Sequence, residues 1–294
     1  MVLSSITRDK PVNTSSPLLV RKLLVDLSHG FPRHWLAGKA FRTQFFNALS
    51  MSFPVGEQEF IDSVREAALA LPDGAEHAQL QATIRDFIGQ EATHRRVHAL
   101  YNAELEKQGL VNHWQYWAAN LIELGRKRGV PPISKLAITA AFEHYTAVLA
   151  DLTLRYPEVM QGADPMLQTL WRWHAVEETE HKAVAFDLYR TLNGSYQTRV
   201  RWYMFAMMRF TIMATRQTVN NLWHDRVLFK PSTWLDAASF FFGRHGLVWL
   251  STRPLLGYLK RDFHPWQHDN RELAQQWLTA NAAQYSIVRG LKGA

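Results

Sequence analysis

Two segments of the sequence, "HAVEETEH" and "QEATHRRVH", each carry a glutamate that is followed three residues later by a histidine. The pairs are Glu91 with His94 and Glu178 with His181. On a helix, this spacing places a carboxylate and an imidazole on one face, where both can bind one metal ion. The two pairs therefore predict the two halves of one metal site.

The ferritin-like type of dinuclear site adds one glutamate from each of two further helices to such pairs. Glu143 lies in the otherwise apolar segment "LAITAAFEHYTAVLADL", where a lone buried carboxylate is costly without a cation. The segment "FPVGEQEF" offers Glu57 and Glu59, and we prefer Glu57 because it shares a helical stripe with Phe60 and Val64. Four carboxylates balance two divalent ions, so a pair of metals is predicted.

Further ionisable residues lie beside the two pairs. His174 and His98 each lie one helical turn from a pair, on the same face. We favour His174 as a third imidazole ligand, with a supporting role behind the ligands as its alternative. For His98 we favour the supporting role, with metal binding as its alternative. Glu177 is expected to support a ligand, and Glu180 is expected to be solvated. The candidate catalytic residues are Glu177 and His98.

Apolar residues recur at spacings of three and four through the central part of the chain, which indicates helices. Breakers such as "LPDG", "RGVPP" and "NGS" divide it into predicted helices near 58–70, 75–107, 113–128, 133–155 and 165–192. The segment "WLAGKAFRTQFFNALS" is a further predicted helix, and "FPVGE" is expected to bend the chain after it. The predicted fold is all-α: a ferritin-like helical bundle with a dinuclear metal site in its core and additional C-terminal helices.

Three regions are predicted along the chain. Residues 1–30 form a polar N-terminal arm, residues 31–194 form the metal-binding bundle, and residues 195–294 form a helical extension that packs on it. In the extension, "RWYMFAMMRFTIMATR" and "WLDAASFFFGRHGLVWL" fall short of the roughly 18 uninterrupted apolar residues of a membrane span. We interpret them as core helices, and leave a peripheral membrane contact open.

Composition excludes several classes of protein. The 294 residues include no cysteine, which excludes disulfides, thiolate zinc sites, iron–sulfur clusters and cysteine nucleophiles. The net charge of +7 suits an acidic partner, but the basic residues are scattered and no groove-reading motif is present, so nucleic acid is not expected. The N-terminus lacks the pattern of a secretory signal, so we expect a cytoplasmic protein, with membrane association left open.

Across roughly residues 30 to 270, the chain resembles a bacterial family named "predicted metal-dependent hydrolase". The resemblance rests on "FPVGEQEF", "QEATHRRVH", "FEHYTA", "WRWHAVEETEHKAVAFD" and "FHPW", in matching order. The last metal helix is also similar to that of di-iron arylamine N-oxygenases, through its His-x-x-x-Glu-x-x-His arrangement. This similarity implies that the metal ligands are Glu57, Glu91, His94, Glu143, His174, Glu178 and His181.

The function we favour from the sequence is a di-iron oxygenase or oxidase, which activates O₂ to oxidise an organic substrate. Mixed histidine and carboxylate ligation suits two iron ions, with manganese or zinc as alternatives. The expected partners are O₂, an electron donor and a small hydrophobic or anionic organic substrate, and a homodimer is left open. The alternative function is a metal-dependent hydrolase that uses a metal-bridging hydroxide.

Overall fold

The computed structural model describes residues 18–72 and 74–288, and within these residues the chain is all-α, as predicted. The bundle region contains α1 (Ala40–Ala68), α2 (Ala78–Lys107), α3 (Trp114–Lys127), α4 (Pro132–Arg155), α5 (Pro165–His181) and α6 (Val184–Thr191). It is followed by α7 (Tyr196–His224), α8 (Pro231–Phe242), α9 (Leu247–Gly257) and α10 (Arg271–Ala280). Two short antiparallel strands, β1 (Arg21–Leu23) and β2 (Tyr285–Ile287), pair the two ends of the described chain.

Two of these helices begin at side chains that cap their first turn. Asp164 precedes α5, and its carboxylate accepts hydrogen bonds from the backbone N–H groups of Met166 and Leu167. Ser195 precedes α7, and its hydroxyl accepts a hydrogen bond from the N–H of Thr198. Such caps satisfy N–H groups that have no partner inside the helix, so they fix where the helix starts.

The segment "FPVGE" does not end the first helix as we expected, because α1 continues through Pro54. Proline has no N–H, so the carbonyl of Ser50 one turn earlier lacks its helical partner. The side-chain amide of Asn102 on α2 donates to that carbonyl oxygen at 3.0 Å. The hydrogen bond from Asn102 replaces the missing one and allows the helix to continue. Glu57 therefore lies within α1 and not at the start of a new helix.

The helix predicted over 165–192 is divided in the structure into α5 and α6. The break lies at Lys182 and Ala183, where neither proline nor glycine interrupts the helical pattern, so the sequence predicted a single helix. Lys182 is buried, and its ammonium group donates to the backbone oxygen of His268 at 2.6 Å and to Asn270 Oδ1 at 2.7 Å. The break thus coincides with a tertiary attachment to the segment before α10.

The bundle is held by contacts of α1 with α2 and α4, and of α4 with α5. The later helices pack on it: α7 on α4 and α1, α8 on α1, α9 on α4, and α10 on α5. Two large apolar clusters form most of the core, one around Phe46, Leu49 and Tyr101 and the other around Val64 and Phe87. The polar residues of α1, α2 and α5 that the sequence singled out lie between these clusters along their helices.

Part of the predicted polar arm, residues 1–17, lies outside the described residues. Its remainder packs on the protein: Leu18, Leu23 and Leu27 are buried, and β1 pairs with β2. None of the described helices combines the length and the apolar character needed to cross a membrane. The division of the chain into three regions stays a prediction.

The buried side chain of Gln217 joins α7 to the start of α3. Its oxygen accepts hydrogen bonds from the N–H groups of His113 and Trp114, and its nitrogen donates to the carbonyl of Val111 at 2.8 Å. We expect Gln217→Leu to lower the free energy of unfolding by about 3 kcal/mol, because it leaves buried backbone groups without partners. Urea unfolding measures the change, and Gln275→Leu on the exposed face of α10 is the control. Equal effects of both substitutions would contradict this role.

Candidate metal centre

Four helices of the bundle each bring one carboxylate into its centre. Glu57 comes from α1, Glu91 from α2, Glu143 from α4 and Glu178 from α5, and all four are buried. The alternative first ligand, Glu59, is only half-buried and lies outside the cluster. The structure thus brings together one glutamate from each of the four segments that the sequence singled out.

Histidines complete two groups of side chains that could each hold a metal ion. In the first group, one ligand atom from each residue lies within 4.8 Å of the others, and the members are Glu91, His94, Glu178 and His181. The second group meets the same criterion and consists of Glu57, His98 and His174. The groups adjoin, because His174 Nε2 lies 3.1 Å from Glu178 Oε1. Glu143 belongs to neither group, but its Oε2 lies 2.9 Å from His181 Nδ1.

Several ligand atoms of the cluster have no hydrogen-bond partner among the described residues. The buried atoms without a partner include both carboxylate oxygens of Glu57, Glu91 Oε2, Glu143 Oε1 and His94 Nδ1, whereas Glu91 Oε1 and His181 Nε2 lie 3.2 Å from each other. Buried polar atoms are almost always paired, and leaving so many unpaired would be costly. Carboxylate oxygens and imidazole nitrogens are also the usual donors to Fe²⁺, Mn²⁺ and Zn²⁺. The residues therefore fit a metal site.

Burial and the repulsion between neighbouring carboxylates raise the pKa values of several glutamates in this cluster. Burial raises the pKa of the Glu57 carboxyl well above its usual range, and the neighbouring charges of Glu178 and Glu143 raise it further. The pKa of Glu91 is raised well above its usual range for the same reasons. Burial also raises the pKa of Glu143 to about 7, against the opposing effect of His181. Without a cation, the cluster thus retains protons near neutral pH.

The pKa values of His94 and His181 are shifted in opposite directions. Burial lowers the pKa of His94 well below its usual range, and the neighbouring histidines lower it further. Burial acts in the same direction on His181, but the carboxylates of Glu143 and Glu178 outweigh it and raise the pKa of His181 to about 9. His94 is therefore ready to bind a metal as a neutral imidazole, whereas His181 must first lose a proton.

His98 has both ring nitrogens engaged. Its Nδ1 lies 2.9 Å from Ser50 Oγ, and its Nε2 lies 2.9 Å from His174 Nδ1. The Ser50 hydroxyl in turn donates to the side-chain oxygen of Asn102 at 2.8 Å. The same Asn102 closes the gap that Pro54 leaves in α1. His98 therefore orients His174 and ties α1, α2 and α5 together.

Glu177 lies behind His94 and holds its ring. Glu177 Oε2 is 2.9 Å from His94 Nε2, and Glu177 Oε1 is 3.4 Å from an Arg21 guanidinium nitrogen. The expectation that Glu180 is solvated holds only in part. Its side chain is 21% exposed, but Arg21 donates to both its oxygens, at 2.7 and 2.9 Å, and Gln90 donates to one of them at 2.9 Å. The carboxylate of Glu177 leaves Nδ1 of His94 free for a metal.

Two residues of the site were not predicted from the sequence. Arg21 lies in β1, far along the chain from the helices that carry the candidate ligands. No sequence motif around Arg21 predicts its contact with Glu177. Thr146 on α4 donates its hydroxyl to Glu178 Oε2, which fixes that carboxylate. Thr146 lies three residues after Glu143, so the helical spacing could have indicated that it faces the site.

Metal binding should release protons at neutral pH. At pH 7, Glu143, with a pKa of about 7, and His181, with a pKa of about 9, hold protons that a metal must displace. Affinity for Zn²⁺ should therefore rise as the pH increases from 6 to 9, with a release of about one proton or more at pH 7. Calorimetric titration of the metal-free protein in two buffers with different ionisation enthalpies measures this release. Heats independent of the buffer would contradict it.

Replacing Arg21 tests whether it positions His94 through Glu177. Arg21→Gln should weaken Zn²⁺ binding by about 10- to 100-fold, the usual effect of disturbing a residue that orients a ligand. A purely electrostatic role predicts the opposite sign, because removing a positive charge favours a bound cation. Arg21→Lys, which keeps the charge but not the forked geometry, is the matched variant and should also weaken binding. Tighter binding by Arg21→Gln would refute the positioning role.

Comparison with known proteins identifies the family of this chain. The family model described as "Predicted metal-dependent hydrolase" matches residues 19–269. No curated protein and no solved structure matches the chain, so the ferritin-like relationship stays a prediction. The preference for an O₂-activating oxygenase or oxidase is wrong in view of this family, which supports the alternative function, a hydrolase. Because the match covers most of the sequence, the chain belongs to the predicted metal-dependent hydrolase family.

Proposed function

We propose that this protein is a hydrolase that depends on two divalent metal ions in the core of the helical bundle. The observation that carries the proposal is the set of buried carboxylate and imidazole atoms without hydrogen-bond partners among the described residues. The proposed ligands are Glu57, Glu91, His94, Glu143, His174, Glu178 and His181. His98, the remaining member of the second group, holds His174 instead of a metal. Membership of the metal-dependent hydrolase family supports the same function.

Charge supports two ions rather than one. Glu57, Glu91, Glu143 and Glu178 contribute four negative charges when ionised, whereas Glu177 contacts the outer nitrogen of His94 and shares Arg21 with Glu180. Two divalent ions balance four carboxylates and leave a nearly neutral core that a helical bundle can bury. Mixed oxygen and nitrogen donors suit iron, manganese or zinc, and elemental analysis of the protein as isolated distinguishes these metals.

Bound metals of this kind lower the pKa of water and polarise the carbonyl or phosphoryl group that water attacks. The protein contributes the orientation of the ligands. Thr146 holds Glu178, Glu177 holds His94, and His98 holds His174 through its Nδ1 atom. We propose that Glu177 and His98, our candidate catalytic residues, act through these ligands and do not touch the substrate.

The surroundings of the ligands keep bulk water away from the reacting group. Glu57 and Thr146 border an apolar cavity whose walls include Phe53, Phe60 and Phe142. Phe53 also stacks on the ring of His174 with ring centroids 4.7 Å apart. An apolar wall around a polar site strengthens the interactions of charged groups inside it and confines the water available for reaction.

Ester hydrolysis measured in the absence of O₂ tests this function. Metal-free protein reloaded with Zn²⁺ or Mn²⁺ under strict anaerobiosis should hydrolyse a panel of carboxylic and phosphoric esters. Glu178→Gln should lose metal and at least about a hundredfold of the activity, because a ligand and its charge are removed. Glu123→Gln on the exposed face of α3 is the control and should keep both. Ester hydrolysis that continues after complete removal of the metals would contradict the proposal.

A further inference from the structure

An apolar cavity runs from the metal cluster toward a group of basic residues. Its volume is about 290 Å³, and α1, α3, α4 and α7 enclose it. Glu57 of α1 and Thr146 of α4 lie at its border with the cluster. Side chains such as Phe60, Phe142 and Phe210 form its walls. The cavity therefore opens directly on residues that hold or support the metals.

The cavity is elongated along α4. Its lining includes Thr146 at the metal cluster and Lys135 near the start of the helix. These positions are eleven residues apart, which corresponds to about 16 Å along a helix axis at 1.5 Å per residue. A ligand that fills the cavity therefore has an extended apolar body, with one end at the cluster and the other at the basic residues.

Three basic residues line the end away from the metals: Arg126, Arg128 and Lys135. Two of them have nearby carboxylates, since Lys135 lies 2.8 Å from Glu66 and Arg126 lies 3.8 Å from Glu123. Glu59 is a further acidic residue of the lining. No carboxylate of the described chain lies within 4.0 Å of Arg128. The basic end thus has one cation that no described carboxylate engages.

A hydrogen-bond donor near the basic end lacks an acceptor. Trp202 Nε1 is buried and has no hydrogen-bond partner in the described part of the protein. Trp202 lines the cavity one helical turn after Thr198, which lies beside Pro132 and Ile133 at the start of α4. Buried donors without acceptors are rare, and a ligand with negatively charged oxygen atoms would satisfy this one.

We propose that the substrate is an elongated amphiphile with an anionic group at one end and a hydrolysable ester at the other. The anionic group binds Arg128 and Trp202, the apolar body fills the cavity, and the ester lies beside Glu57 and Thr146. This assignment rests on the proposed hydrolase function. Hydrolysis adds the oxygen of water to the acyl carbon, breaks the acyl C–O bond and transfers a proton to the departing alcohol. No oxidant or reductant is required.

Binding of simple probes to the metal-loaded protein tests the cavity without turnover. Calorimetry with dodecanoate, dodecanol and butanoate separates the anionic group from the apolar chain, at concentrations below micelle formation. Dodecanoate should bind more tightly than either of the others. Arg128→Gln should weaken the binding of dodecanoate by about tenfold or more, because a charge-assisted hydrogen bond is lost, and should leave the binding of dodecanol unchanged. Arg85→Gln on the exposed face of α2 is the matched control and should change neither affinity.

A second pair of variants tests the apolar body of the cavity. A Cβ atom built on Gly56 meets no atom within 4 Å, so a larger side chain can enter the cavity without displacing the fold. Gly56→Leu should abolish binding of dodecanoate and dodecanol, whereas Gly56→Ala should retain both. Metal content, measured on each variant, should stay that of the wild type, because the substitution fills the cavity and leaves the ligands in place.

The outcomes separate this assignment from the proposed function. If dodecanoate binding is unaffected by Arg128→Gln but is lost when the metals are removed, its carboxylate binds the metals and the assignment of the basic end is overturned. If Gly56→Leu does not affect binding, the cavity is not the binding site. If dodecanoate behaves as predicted while no ester is hydrolysed, the amphiphile site is supported and the hydrolase function fails.

Discussion

Four carboxylates buried at one level of a helical bundle repel each other, and the rest of the structure depends on relieving that repulsion. Glu57, Glu91, Glu143 and Glu178 interrupt apolar helix faces at the boundary between two hydrophobic clusters. Proteins relieve such repulsion by retaining protons or by binding cations. The unpaired oxygens and nitrogens of the cluster are arranged for the second solution, which explains why so costly a group is tolerated in the core.

A surrounding layer of neutral and charged partners fixes the ligands without competing for the metals. Thr146 contacts Glu178, and Glu177 contacts the far nitrogen of His94. The positive charge of Arg21 lies beyond Glu177, and β2 pairs with the strand that carries it. Segments from both ends of the described chain thereby contribute to the orientation of one histidine in the centre of the bundle.

The sequence predicted the parts of the site that depend on local spacing. The Glu-x-x-His pairs define a helix face by themselves, and Glu143 is conspicuous because its helix is otherwise apolar. Arg21 and the link from Asn102 to the gap at Pro54 depend on tertiary contacts, so no local pattern predicts them. The reaction was misassigned for a different reason. Histidine and carboxylate ligands serve oxygen activation and hydrolysis alike, so the ligand set alone does not decide between them.

The need to keep the ligand carboxylates available for metals also explains why the basic residues lie away from them. An arginine or lysine close to the ligand carboxylates would form buried ion pairs with them and displace the metals. Arg128 is instead kept at the far end of an apolar cavity, and the charge of Arg21 is engaged by Glu177 and Glu180, which we do not assign as ligands. The apolar walls between the two regions thus allow one protein to present carboxylates to metals and cations to an anionic ligand. A shorter cavity would bring these opposite charges together and leave neither available.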